Sequence, residues 1–272
     1  TEITLVTSSL LYKDKNEQLY NYFEDITPLF SFLVRRTIHH LRHNLNGETE
    51  TKYRTRLKND YNVTIRFANA VLKTAKNLLK LSKTAGDYLY STYDKKIKNV
   101  STKIIKTKAA LNNPKTEKGR IKNLKIKLFW LEMRKNKLIQ LKNNGSKPLL
   151  TWGTKKLLKS DKLKFLEKRD SQIVYVGSKD ETAGNQQFQI SYDKKSNKFT
   201  YKLRLENEYI KNSKYISGGF ILKDKFAKKE ILKTLNNTKS SPLSFRIIKK
   251  DNVLYLQIMY RVVAELNTRS SN

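Results

Sequence analysis

The sequence predicts an α+β fold in which a basic helical block interrupts a β-barrel or β-sandwich. Three observations predict it. Period-two alternation runs through Phe188, Ile190 and Tyr192, then through Phe199, Tyr201, Leu203 and Leu205, and leaves Gln187, Gln189, Ser191, Thr200, Lys202 and Arg204 on the opposite face. That pattern marks half-buried strands with one apolar and one polar to basic face. Apolar residues at helical spacing, embedded in lysine, fill most of residues 15–145. A lone alternating stretch, Ile3 and Leu5 about Thr4, precedes the helices, and it can join the later strands only if the helical block is an insertion.

Composition bounds the function. The 272 residues carry 57 Lys+Arg against 24 Asp+Glu, a formal charge of +33, with 38% hydrophobic residues and no Cys. There is enough apolar material for a real core of one or two domains, so this is no disordered basic tail. Positive charge in such excess raises self-repulsion, which a polyanion relieves. Nucleic acid is the leading partner, and an anionic membrane surface the rival. No apolar run approaches the roughly 18 residues of a membrane span, and the N-terminus lacks a signal-peptide core. With the absence of Cys, this points to a soluble intracellular protein. The first residue is Thr, as expected of a piece of a longer natural chain. Residues 1–50 hold five basic and seven acidic side chains, whereas residues 51–250 hold 50 and 15, so the polyanion surface is expected in the latter.

Taken in order, Thr1 to Leu11 reads as a strand. From about Lys15, Leu19, Phe23, Ile26, Phe30, Leu33 and Leu41 give a core-facing helix, with Pro28 predicting a kink or break. His39 and His43 share a face of it, the one metal-like spacing in the chain. No zincin Glu follows and no Cys can complete a tetrahedral site, so ordinary, partly exposed histidines are expected. After Asn46-Gly47, Ala68, Val71, Leu72, Ala75 and Leu79 form an apolar stripe, and Arg66, Lys73, Lys76, Asn77 and Lys80 lie largely off it. Such a face can follow a phosphate backbone, and Tyr53, within Tyr53, Arg54, Arg56 and Lys58, offers a ring for stacking on a base. A merely solvated lysine face is the equal alternative.

A third helix is predicted from Tyr88 to Leu111, ending at Asn112-Asn113-Pro114. A fourth runs from about Thr116 to Asn143, with Thr116 or a neighbour as its cap and Ile121, Leu124, Leu128, Leu131 and Leu138 repeating at three and four. Fewer than three clean heptads predict core packing in a helical bundle rather than a coiled coil. Asn143 to Pro148 closes the block. Trp152 beside Lys155, Lys156 and Lys159 reads equally as a base-stacking ring or a core anchor. Beyond it, Tyr215 to Ile221 is a strand with a bulge or close approach at Gly218-Gly219, and Lys225 to Leu235 is a short helix. Leu243, Phe245 and Ile247 pair across a Lys250-Asp251-Asn252 turn with Leu254, Leu256, Ile258 and Tyr260.

Trp152 to Lys156, RDSQIVYVGSKDETAGNQQFQI, KLRL and SPLSFRIIKKDNVLYLQIMYR resemble the region before the nuclease domain of TnpB-type proteins, transposon-encoded RNA-guided relatives of type V CRISPR effectors. The resemblance covers roughly residues 150–262. It implies a wedge-type β-barrel made of residues 1–14 and 149–266, with a basic helical recognition lobe at 15–148 inserted, and residues 267–272 as a linker toward a RuvC-like domain. It implies guide RNA and double-stranded target DNA as partners, in a bacterial cytoplasm and on the nucleoid when DNA-bound. By that analogy the DNA side is Tyr53, Arg54, Arg56, Lys73, Lys76, Asn77 and Lys80. The RNA side is Lys155, Lys156, Lys159, Lys179, Gln186, Gln187, Lys202 and Arg204.

The family cuts DNA with separated carboxylates that hold metal ions. Here no Cys pair supplies its zinc ribbon, and Asp161, Glu167, Asp170, Asp180 and Glu181 read as local charge partners. No catalytic set and no cofactor are therefore expected in these residues; Mg2+ is expected only with a following RuvC-like domain. There is no Gly-Lys-Ser phosphate loop, and the three His crowd five residues of one helix, which gives Ser/His/Asp chemistry little support. Alternatives are a nuclease-deficient RNA-guided repressor and a generic basic RNA- or ribosome-binding protein.

Overall fold

The computed structural model describes residues 2–43, 47–143, 155–178, 185–210, 213–236 and 242–263. In chain order these form β1 (Glu2–Leu11), α1 (Lys13–His43), α2 (Glu50–Asp60), α3 (Ile65–Leu111), α4 (Lys118–Asn143), α5 (Lys155–Ser160), α6 (Lys162–Arg169), β2 (Gln172–Tyr175), β3 (Phe188–Asp193), β4 (Lys198–Arg204), β5 (Tyr215–Phe220), α7 (Lys225–Asn236), β6 (Ser244–Lys250) and β7 (Val253–Val263). The fold is mixed α+β. Among the described residues no helix is long and apolar enough to cross a membrane.

The strands make two open antiparallel sheets, ordered β1-β7-β6-β2 and β3-β4-β5. The first strand pairs with the last, from Glu2 opposite Val263 to Leu11 opposite Leu254. The helices thus lie in sequence between two strands of one sheet, as an insertion requires. A closed barrel is not formed by the described residues: no strand ladder joins the sheets, and where β1 nears β5 the bond comes from a side chain, Ser9 Oγ donating to the Ile221 carbonyl at 2.8 Å. The sheets meet through rings instead. Phe188 of β3 stacks on Phe245 of β6 at 4.6 Å and on Tyr201 of β4 at 5.2 Å. The alternation of β4 puts Phe199, Tyr201 and Leu203 into this core and Thr200, Lys202 and Arg204 outside. Between β6 and β7, Asp251 and Asn252 both take positive φ, 51° and 61°, the two-residue turn whose twist suits a hairpin and whose backbone, among residues with a side chain, Asn and Asp tolerate most readily.

Helix α1 buries Leu19, Phe23, Ile26, Phe30 and Leu33 as its spacing predicts. It does not break at Pro28; its one non-helical residue is Asn16, with φ −138° and ψ 27°. Asn16 leaves helical geometry while serving as a polar hub. Its amide donates to the Tyr12 carbonyl at 2.8 Å and to the Gly219 carbonyl at 3.4 Å, and its oxygen accepts from the Tyr201 hydroxyl at 2.7 Å. A Cβ at Gly218 would collide with Asn16 and with that hydroxyl, so glycine here is required by close approach, and β5 pairs without a bulge.

Residues 1–76 with 152–272 form one compact unit, and residues 77–151 another. The second division falls close to the expected boundary near residue 148, whereas the first lies near residue 76 rather than 14, because α1, α2 and the first turns of α3 fold with the sheets. Nor is the helix from Tyr88 separate, because α3 runs unbroken for 47 residues. Its lone Gly86 costs only about 1 kcal/mol relative to Ala. In the second unit α3 and α4 form a hairpin, tied by Lys108 to Glu132 at 3.1 Å and Lys142 to Asp94 at 2.5 Å. Thr116 does not cap α4; its hydroxyl donates to the Ala110 carbonyl at the end of α3, 2.7 Å away. The expected bundle core is also absent here: α4 buries no residue, and Ile121, Leu124, Leu128, Leu131 and Leu138 are half-buried along one seam.

Candidate nucleic-acid interface

The antiparallel register lays Gln189 beside Lys202, Ser191 beside Thr200, and Arg204 beside Tyr215. This outer face is polar. Ser191 and Thr200 hydroxyls meet at 2.7 Å, and the Lys202 ammonium sits 4.3 Å from the Tyr215 ring centroid.

At the end of this face the strands meet the junction of α2 and α3. A cleft of about 410 Å³ opens there, lined by Lys58, Arg66, Gln186, Gln187, Arg204 and Asn207 among others. Lys58 comes from the last turn of α2, Arg66 from the first turn of α3, and Arg204 from the end of β4. Arg66 donates to the Gln186 side-chain oxygen at 3.4 Å. Glu206 lies beneath, fully buried. It accepts from the Thr64 backbone N–H, from the Thr64 hydroxyl at 3.1 Å and from the Gln187 side-chain amide. Thr64 in turn caps α3, its hydroxyl accepting from the Phe67 N–H at 3.2 Å. Burial raises the Glu206 carboxyl to about 7, against the lowering effect of the Thr64 hydrogen bonds, the Arg204 charge and Gln187. With both oxygens engaged from below, the acid staples the start of α3 to the sheet, and the cleft mouth presents cations and amides. Charge-assisted bonds to phosphate oxygens are the chemistry such a mouth offers.

A second recess, of about 470 Å³, lies between α6 and the β6–β7 turn, with Lys164, Lys168, Lys249 and Lys250 beside Glu167 and Asp251. It is partly neutralised, since Lys249 also pairs with Glu24 at 2.6 Å.

Several predicted contacts are occupied otherwise. Tyr53 is buried, stacked on His40 at 4.0 Å with its hydroxyl 3.1 Å from Thr37, so its ring is not offered to a base. Arg56 lies over that ring and forks onto Glu48, at 3.2 and 2.7 Å, holding the Glu48 carboxyl below its usual range. Arg54 donates to Thr51 at 3.3 Å, and Lys76 pairs with Glu50. Lys73 is exposed on α3; Asn77 and Lys80, also exposed, belong to the second unit. Of the RNA set, Gln186, Gln187 and Arg204 are brought together at the cleft, although Gln187 is buried against Glu206 and works from inside. Lys202 stays on the outer sheet face. Lys156 and Lys159 are exposed on α5. Lys179, Trp152 and the Lys155 side chain lie outside the described residues, as do Asp180 and Glu181.

Two of the acids take other partners. Asp161 caps α6 by accepting from the Lys164 N–H at 2.9 Å, and Asp170 takes Arg169 at 2.6 Å and the Ser31 hydroxyl. His39 and His43 have ring centroids 4.5 Å apart, but among the described residues no three His, Asp or Glu converge. What sequence reasoning left out of its site is the pairing of Lys58 and Arg66 with Arg204. About 140 residues of chain separate them, and no local pattern signals the juxtaposition. Neither protein-family models nor curated proteins match this chain.

Proposed function

We propose that this chain binds nucleic acid through the cleft at the α2–α3 junction and the basic outer face of β4. The observation that carries this reading is the convergence of Lys58, Arg66 and Arg204, from three separate elements, over an acid sequestered by its own hydrogen bonds. Three cations held at one mouth suit a phosphate backbone, and the exposed Gln186 at the rim can reach a groove edge or a ribose.

The finer reading is that the chain is the guide-RNA- and target-DNA-gripping part of a TnpB-like protein, its sheets a wedge-type β-barrel and its helices the recognition lobe. Supporting it are the sequence resemblance over residues 150–262 and the chain order, in which one long helical block intervenes between β1 and the remaining strands. In that scheme base pairing by the guide selects the target, and protein contacts go to backbone and a short duplex motif.

The test is to purify the chain from its host at mild salt and sequence the nucleic acid that accompanies it. One discrete RNA with a constant scaffold and a variable end supports the guided reading. A mixture of ribosomal and messenger fragments overturns it in favour of generic RNA binding. In parallel, replacing Lys58, Arg66 and Arg204 by Ala should flatten the salt dependence of duplex binding by about three in log–log slope; an unchanged slope overturns the cleft assignment.

A further inference from the structure

Helix α4 carries two apolar stripes, and the hairpin uses only one. The seam through Ile121, Leu124, Leu128 and Leu131 faces α3, half-buried. Opposite it, Ile126, Phe129, Trp130 and Met133 recur at steps of three, four and seven, the spacing of one helical face. Phe129 and Trp130 are 57% and 63% exposed, and Ile126 and Met133 about half exposed. Soluble proteins rarely leave such a patch without an occupant. The two rings stand edge to face, centroids 5.5 Å apart, so their outer surfaces are open. Lys122 and Lys137, four residues beyond the stripe at each end, fall on the same face and are exposed.

We propose that this face is a stacking platform for a short single-stranded stretch of nucleic acid, an inference that rests on the nucleic-acid reading above. The dimensions fit. From Ile126 to Met133 the helix rises about 10 Å, the length of three bases stacked at about 3.4 Å, and Lys122 and Lys137 stand about 22 Å apart to take flanking phosphates. Bases supply flat apolar partners for Phe129 and Trp130 while the backbone supplies the negative charge, a combination duplex DNA withholds because its bases are stacked inside. Charge chooses among occupants. Residues 118–143 hold nine Lys and Arg against one acid, Glu132, so a second copy of the helix would bring like charge against like. A membrane surface calls for a helix with its apolar residues gathered on one face, whereas α4 divides them between two opposite sides.

The experiment uses the full chain with Trp152→Phe, leaving Trp130 the only tryptophan. Titration with a short oligothymidylate should quench Trp130 emission, and Phe129→Ala with Trp130→Ala should weaken single-strand binding about tenfold or more while leaving duplex binding near unchanged. Trp130→Phe should restore most of the loss, which separates ring stacking from damage to the helix. Binding of the oligonucleotide with no change in emission and no loss on substitution overturns this platform and leaves the cleft reading standing. An absence of any nucleic-acid binding by the parent chain overturns both. Emission that responds to anionic phosphatidylserine vesicles but not to the oligonucleotide, or to protein concentration in step with dimerisation, overturns the platform in favour of the other occupant.

Discussion

In the sheet-bearing unit Phe188, Phe199 and Phe245 are each at most 1% exposed, whereas in the helical unit Phe129 and Trp130 are more than half exposed. Aromatic and branched aliphatic residues together make up a similar share of the two regions. They differ in how many layers they can build. Each strand offers one apolar face, two sheets close those faces on each other, and α1 adds Phe23, Ile26 and Phe30 to the buried set. A pair of helices has a single seam. Among the described residues of the second unit only Ser82, Val100, Ile104 and Thr107 are buried. A helix with apolar residues on both sides, as α4 has, must leave one side in water, and that is where the unit can act on a partner.

The contrast is sharpest in the cores. Phe245→Ala should cost about 3–5 kcal/mol, because its ring fills the space between sheets against Phe188. Leu128→Ala on the half-buried seam should cost well under half of that, and urea unfolding of both variants measures the difference; equal losses would break the comparison.

Protonation gives the next largest effect, at Glu206 in the sheet unit. The Glu206 carboxyl is raised to about 7 in the fold, chiefly by burial, from 4.5 when unfolded. A raised carboxyl favours folding fully below its unfolded value and loses that contribution as pH rises through the folded value. Stability should therefore fall between about pH 4.5 and 7, by up to about 3 kcal/mol. Glu206→Gln should remove that slope, whatever it does to the absolute stability; melts across the window read it.

Glycines give a paired test of opposite sign. Gly218→Ala drives a methyl into Asn16 and Tyr201 and should cost about 1–3 kcal/mol. Gly119→Ala, in the first turn of α4 with nothing within 4 Å, should instead stabilise by up to about 1 kcal/mol. Thermal melts distinguish them, and two losses would show that α4 is more constrained than its open flank suggests. Smallest of all, Lys108→Ala removes an exposed pair with Glu132 and should shift stability by about 0.5 kcal/mol or less, fading with added salt.

Much of the fold was legible. Alternation located β3, β4, β6 and β7 because strand side chains change face at every residue, and the Asp251-Asn252 turn announced its hairpin. Periodicity likewise placed α1 and its buried face. Helices α5 and α6 were missed inside a lysine run, where no apolar stripe is wide enough to signal them. At Pro28 a missing N–H tells of one lost bond, not of a break: α1 continues through it with Phe23 and Phe30 buried on either side.

By itself the sequence determined the class of the fold, the face each strand buries and the excess of positive charge, since all three depend on neighbours a few residues apart. Tertiary structure decided the rest. It buried Tyr53 against His40, committed Arg56 to Glu48, and gathered Lys58, Arg66 and Arg204 over Glu206. It also left Phe129 and Trp130 outside a seam that could hold only one face of α4. Availability of a charged or aromatic group depends on which distant segment reaches it first, and that competition is settled by long-range packing and burial, which local sequence pattern does not encode.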